Sequence, residues 1–233
     1  MKKIQSQLQF DDGFMPELIP GTEFDGEFEI PVIHLMTEII IPTKIVPFSH
    51  RNKVKNPKEY FICFYEHDRY FADVIRNPWK YVEEFKRFGG IISPDCSLLR
   101  DSPFLAQASN VYKNRIIGSF FQREGIPVIA DVRWGDERSY DARIYSEPVA
   151  FLGAPKNNMV AIGTYGGVRG AENTFYFREG LRKMLKYLTP EVVIVYGPMP
   201  DEIFGGVSHL TQFIQFNNWD AVRHGKDPYG HRG

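Results

Sequence analysis

The 233-residue chain has only two cysteines, Cys63 and Cys96, far apart and in no Cys-x-x-Cys pair, which argues against a disulfide framework or a cysteine-built zinc site. That scarcity fits a reducing, cytoplasmic setting. An excess of one charge is also missing: 28 Lys and Arg stand against 29 Asp and Glu, a net charge of −1. A nucleic-acid coat or a polybasic membrane binder needs a strong positive surplus, so both are disfavoured. The longest apolar runs, around Ile39–Ile41 and Val192–Tyr196, fall far short of the roughly 20 residues that cross a bilayer, so no membrane is expected as partner. The N-terminal stretch to Phe10 carries two lysines but no apolar segment of the kind that directs secretion. Signature motifs are equally scarce. The chain holds no GxGxxG or GxxxxGK[ST] phosphate loop, no HExxH zinc helix and no GxSxG nucleophile elbow. The histidines at 34, 50, 67, 209, 224 and 231 show no paired spacing, so no metal site is expected and the cofactor is left unknown.

What is abundant is the aromatic ring, with 19 Phe, 12 Tyr and 3 Trp making 15% of the chain. The rings are spread along the sequence rather than interleaved with Lys and Arg, which favours core filling over a base-stacking groove. With 43% hydrophobic and 24% charged residues, a chain of this length reads as one compact globular domain.

Residues 1–35, rich in Gly, Pro and acids, carry no sustained period and read as an irregular N-terminal arm. A single α/β domain is expected over 36–222, followed by a flexible Gly- and Pro-containing C-terminal tail over 223–233. Within the domain, Ile39–Ile41 running into Lys44–Phe48 predicts a first strand, and Tyr60–Tyr65 a buried one. Asn77-Pro78 predicts a capped helix whose stripe of Tyr81, Val82, Phe85 and Phe88 closes at Gly89-Gly90. Strands are predicted at Gly90–Pro94, Ile126–Trp134, Met159–Gly163, Val192–Tyr196 and Leu210–Phe216, with long helices from Pro103 to Glu124 and from about Asn173 to Leu188. Apolar strands separated by helices imply a mainly parallel sheet flanked by helices, either open and doubly wound or an incomplete TIM-like barrel.

Ligands of parallel α/β sheets sit outside the carboxyl ends of the strands. That places Ser93, Asp95 and Ser97, then Arg133, Trp134, Asp136 and Glu137, then Thr164, Tyr165, Gly166 and Gly167, then Tyr196 and Gly197 among the candidates. Asp95 has the chemistry of a general base, or of a simple turn residue. Asp131 and Arg133, two apart on a strand, predict a structural ion pair. The glycine-rich stretch 163–170 ends a strand and leads into a helix, the context of a phosphate cradle clamped by Arg169, or of a plain connection. On the helix from 103, Asn110, Asn114, Gly118 and Gln122 recur every fourth residue, a polar stripe that either meets partners inside the protein or faces water.

From 90 to 197 the chain carries Ser93-Pro94-Asp95-Cys96-Ser97-Leu98, Asn110-Val111-Tyr112-Lys113-Asn114-Arg115, Gly118, Gln122, Gly125, and Val128-Ile129 leading to Trp134. It continues with Val160-Ala161-Ile162, Thr164, Gly166, Gly180, and Leu188-Thr189-Pro190 through Val193-Ile194-Val195-Tyr196-Gly197. In this order and spacing the stretch resembles the domain of unknown function 4417 family of bacteria, archaea and their phages. The resemblance implies a shared fold and no assigned activity. It favours Asp95, Asn110, Tyr112, Arg115, Trp134, Thr164, Gly166 and Tyr196 as one family-level site. The chain departs from the pattern at Arg133, where a small polar residue is expected, and at Asp131, where an uncharged one is.

Three functions compete. The first is a phosphorylated or nucleotide-like small molecule bound at the strand ends, with Trp134 as stacking surface and Asp95 as base for any hydrolytic turnover. The second is a non-enzymatic phage or mobile-element accessory that binds a host protein or sequesters a host signal. The third, nucleic-acid binding through Arg178, Arg182, Lys183 and Lys186, is weakened by the net charge.

Overall fold

The computed structural model describes residues 13–165 and 167–232. The N-terminal arm forms a two-stranded antiparallel ribbon of β1 (Phe24–Asp25) and β2 (Ile30–Pro31). The main sheet then follows the chain as β3 (Lys44–Pro47), β4 (Tyr60–Cys63), β5 (Gly90–Ile92), β6 (Val128–Asp131), β7 (Met159–Gly163), β8 (Val192–Tyr196) and β9 (Gln212–Phe216), with β10 (Tyr229–Arg232) at its edge. Between the strands lie α1 (Ala72–Arg76), α2 (Val82–Phe85), α3 (Phe104–Arg123), α4 (Glu137–Tyr140), α5 (Ala171–Leu188), α6 (Asp201–Phe204) and α7 (Trp219–Arg223).

Each strand from β3 to β8 pairs in parallel with the next one in sequence, and β10 ends the row antiparallel to β9. A doubly wound sheet reverses its order at a switch point. This sheet has no such reversal, so the doubly wound alternative is excluded and the incomplete barrel is the fold. Alternate residues divide between two cores, as strand geometry requires. Val46, Ile62, Ile91, Val160 and Val193 pack under the helices, whereas Ile45, Phe61, Ile92, Ala161 and Ile194 pack with one another on the other face.

The sheet curls strongly. Tyr65, just past β4, and Tyr196, the last residue of β8, stack with ring centroids 5.2 Å apart. Four strand steps at roughly 4.8 Å each would hold them about 19 Å apart along a flat sheet. Gly163, at the end of β7, makes the stack possible, because a Cβ there would run into the Tyr65 ring. Met36, Ile39 and Tyr229 lie against the concave core, and Tyr229 Oη donates to the Pro42 carbonyl at 3.0 Å.

Several sequence expectations change. Residues 39–41 form no strand: Ile39 packs against the concave core, Ile40 and Ile41 are exposed, and pairing starts only at Lys44, beyond Pro42 with its missing N–H. Asn77 does not cap the following helix, since its amide donates to Asp73 instead. Instead of a flexible tail, residues 229–232 form the edge strand.

The α3 stripe faces protein. Asn114 is buried, a Cβ on Gly118 would collide with Ile33, and the Gln122 amide exchanges two hydrogen bonds of 2.9 Å with the backbone of His34. The stripe therefore binds the arm to the domain. Gly125, at φ +81°, ends the helix in the left-handed region that glycine tolerates.

Candidate functional site

At the carboxyl ends of the parallel strands lies an open cavity of about 450 Å³. Its walls come from successive strand exits: Pro47 at the end of β3 and His50 after it, Tyr65, Glu66, His67 and Tyr70 after β4, Asp95 and Ser97 after β5, Arg133 after β6, Gly163 and Tyr165 at β7, Tyr196 at β8, and Asn218 to Asp220 after β9. This is the end where parallel strands and loops converge in barrels.

The charged centre is Asp95 with Arg133, joined at 2.6 Å. Arg133 is about a third exposed (35%) and the Asp95 side chain only 7%, so the guanidinium is the more open partner. Burial pushes the Asp95 carboxyl up from its ordinary range, and the Arg133 charge opposes that rise. The predicted Asp131–Arg133 ion pair does not form, because β6 ends at Asp131 and the following backbone turns Arg133 toward Asp95.

Asp131 lies beneath the cavity, fully buried. Its oxygens accept from Tyr65 Oη at 2.9 Å and Asn114 Nδ2 at 3.2 Å, and no cation forms a salt bridge to it among the described residues. Burial and the neighbouring Asp95 charge hold its carboxyl well above the usual range, while Tyr65, Arg115 and Arg133 act against that shift. A side-chain hydrogen bond from Asp131 favours the ionised form of Asp95. The pair is thus a buried acid behind a pocket-lining carboxylate.

Around this centre stand rings. Tyr196 Oη accepts the backbone N–H of Trp219 at 2.8 Å, the Trp219 and His50 rings lie 5.8 Å apart, and Tyr70 and Tyr165 are 50% and 69% exposed. Glu66 is oriented by Ser49, which donates through N–H at 2.9 Å and Oγ at 2.6 Å.

Of the sequence-predicted residues, Asp95, Arg133 and Tyr196 meet in this cavity, joined by Ser97 and Tyr165. The others lie elsewhere. Arg115 is 1% exposed and donates to the carbonyls of Leu152, Asp131 and Ala150 at 2.9, 2.6 and 3.2 Å, a wholly internal role; burial lowers its guanidinium to about 10. Trp134 is not a stacking surface of the cavity. It packs on Phe177, donates to the Tyr176 carbonyl at 3.2 Å, and occupies the place that a Cβ of Gly180 would need. Tyr112 packs edge-on against Phe14, and Asn110 Nδ2 donates to the Ser97 carbonyl at 2.7 Å from the far side of that loop. Thr164 is buried and lines a separate groove with Arg169, whereas Gly167 lies in a small cleft beside Trp134. The 163–170 stretch therefore does not form a single cradle facing the cavity, and Gly166 lies outside the described residues.

His50, Tyr65, Glu66, His67, Tyr70 and Trp219 escape the sequence reading. They follow β3, β4 and β9, whose exits carry no glycine-rich stretch, and only their distance past a strand end could have marked them. Among the described residues, no three His, Cys, Asp or Glu side chains gather as a metal-holding group, and no helix is long and apolar enough to cross a membrane. The α5 cations are partly engaged: Arg178 and Arg182 share Glu179 at 3.6 and 3.0 Å, and Lys183 reaches Asp141 at 3.2 Å, a carboxylate that Arg143 also holds.

Residues 22–217 match the family model described as Domain of unknown function (DUF4417). The "Gene 1 protein" of Mycobacterium phage L5 is 30% identical over 136 residues, 58% of this chain and 56% of its own length. The "Gene 1 protein" of Mycobacterium phage D29 is 30% identical over 134 residues, 58% of this chain and 47% of its own length. The chain thus spans about half the length of these curated relatives. No solved structure matches it.

Proposed function

The chain belongs to the family described as Domain of unknown function (DUF4417), and we propose that its cavity at the carboxyl ends of β3 to β9 binds a phosphorylated, nucleotide-like small molecule. One observation carries the reading: the Arg133–Asp95 pair opens into a space walled by Tyr65, Tyr70, Tyr165, Tyr196 and Trp219. Flat rings suit a planar base, and a part-exposed guanidinium suits a phosphoryl oxygen. In this reading Asp95 also serves hydrolysis. It takes a proton from water as the water oxygen bonds to the phosphorus, and Arg133 stabilises the charge on the departing oxygen.

Native mass spectrometry of the purified protein, followed by titration with a nucleotide panel, tests the proposal. The expected outcome is a bound nucleotide-class molecule whose affinity falls at least about tenfold in Asp95→Ala and Arg133→Ala, a loss of about 1.4 kcal/mol. Unchanged binding in both variants, with both folded, rejects it.

A non-enzymatic accessory role has one specific observation in its favour. Phe28, Phe104 and Tyr145 form a ring cluster beside Leu105, with Phe104 and Tyr145 stacked at 4.0 Å and Leu105 77% exposed. Exposed apolar clusters of this kind mark protein contacts. Recovery of a stoichiometric host protein that Leu105→Asp no longer captures supports this role, and a preparation without any partner rejects it.

A further inference from the structure

Beside the main cavity, across the ridge made by residues 67–70 and 95–97, lies a second one of about 400 Å³, bounded by the 68–76 segment and α3. The ridge is tied internally: Ser97 donates to the Asp68 carboxylate through N–H at 3.2 Å and Oγ at 2.8 Å. His67 and Tyr70 line the first cavity, whereas Asp68 and Arg69 line the second.

Among the described residues, three cations line this second space, Arg69, Arg76 and Lys113, against the single carboxylate of Asp68. Both oxygens of Asp68 are taken by Ser97. The next carboxylate along the segment, Asp73, is occupied by Lys80 at 2.7 Å, Asn77 at 2.8 Å and Tyr81 at 2.6 Å. Elsewhere arginines sit on carboxylates, Arg51 on Glu84 at 2.9 Å and Arg138 on Asp136 at 2.6 Å among them. Arg69, Arg76 and Lys113 form no ion pair among the described residues, and the one hydrogen bond of an Arg69 guanidinium nitrogen goes to Tyr70 Oη at 3.2 Å. Among the described residues that line it, a local surplus of two positive charges, in a chain whose net charge is −1, therefore surrounds a concave space. Concave walls of one sign focus the field on whatever enters.

We propose that this second cavity is a binding site for a phosphate-type polyanion, held by the forked guanidinium donors of Arg69 and Arg76 and the ammonium of Lys113. Two guanidinium forks match the paired oxygens of a phosphoryl group, and the ammonium adds a mobile point charge. The site is separate from the main cavity and does not rest on a ligand there. Asn110 gains a place here, since it lines this space while its amide holds the ridge at Ser97.

The test is calorimetric titration of the full chain with pyrophosphate at fixed ionic strength, in the wild type, Arg76→Ala/Lys113→Ala and, as a control that removes an exposed cation elsewhere, Lys55→Ala. Wild type and Lys55→Ala are expected to bind alike, and the double variant about tenfold or more weaker, with its circular dichroism unchanged. Repeating the series with adenosine diphosphate distinguishes a free anion from one carried on a nucleotide: weakening of pyrophosphate alone assigns the former, and weakening of both the latter. Absence of binding at millimolar pyrophosphate, equal binding by the double variant, or displacement by chloride at matched ionic strength each overturns the proposal. If the double variant fails to fold, Arg69→Gln/Arg76→Gln takes its place with the same expected loss.

Discussion

Tyr65 donates to Asp131 at 2.9 Å while its ring lies stacked on Tyr196, so one side chain forms the cavity wall and also reaches the buried acid behind it. That double engagement makes the Tyr65–Asp131 bond the most informative place to perturb the site.

Asp131→Asn is expected to change the pH dependence of stability. The folded carboxyl is held well above its ordinary value of about 3.9 by burial and by Asp95, so the stability it contributes is complete below about pH 4. As pH rises the unfolded chain releases its proton first, and stability falls, by at most about 1.4 kcal/mol per pH unit, until the folded carboxyl also ionises. Asparagine keeps the shape without the titration. Urea unfolding between pH 5 and 8 is expected to show a flatter profile for the variant and a stability advantage at the alkaline end; parallel profiles refute the raised Asp131 carboxyl.

Tyr65→Phe removes a donor from a buried carboxyl and is expected to cost about 1–3 kcal/mol. Because the phenol favours the ionised form of Asp131, its loss pushes the carboxyl higher still. The falling limb of the stability profile then extends to more alkaline pH. Folding and Tyr196 packing are retained, as near-ultraviolet circular dichroism will report.

Arg115→Met leaves the carbonyls of Leu152, Asp131 and Ala150 buried without their donor, at about 1–3 kcal/mol for each group left unsatisfied. A loss of about 3 kcal/mol or more in denaturant midpoint analysis is expected. A variant as stable as the wild type would show that the guanidinium is dispensable.

Gly163→Ala places a methyl group against the Tyr65 ring and is expected to destabilise by about 1–3 kcal/mol through overpacking. The same displacement opens the Tyr65–Tyr196 stack, so the binding predicted for the main cavity weakens together with stability. Gly206→Ala, at a position with open space around it, is the control and is expected to be neutral.

Much of the scaffold was legible because its strands are continuous apolar runs with clear stops: Met159–Gly163 and Val192–Tyr196 appear with the bounds their sequence suggests. Ile39–Ile41 carries the same composition and is no strand, since apolarity marks burial against the concave core as readily as pairing. Asp95, Arg133 and Tyr196 were legible as charged or ring residues at strand exits. Arg115 and Asn110 were not separable from them, because a buried guanidinium serving carbonyls and one serving a ligand are the same letter in the sequence. Tyr65 and Trp219 were hidden for the opposite reason: the curl that carries β4 toward β8 is a property of the whole sheet, and no local spacing encodes it.

The hydrogen bond from Tyr229 to the Pro42 carbonyl joins positions 187 apart. During synthesis the parallel strands can pair in the order they emerge, but this latch must wait until nearly the whole described chain has been made. A chain stopped at Arg223 lacks β10 and leaves β9 as an uncovered edge, ready to pair with another molecule. Residues 229–232 thus decide which strand, β9 or β10, the sheet presents to other molecules along that side.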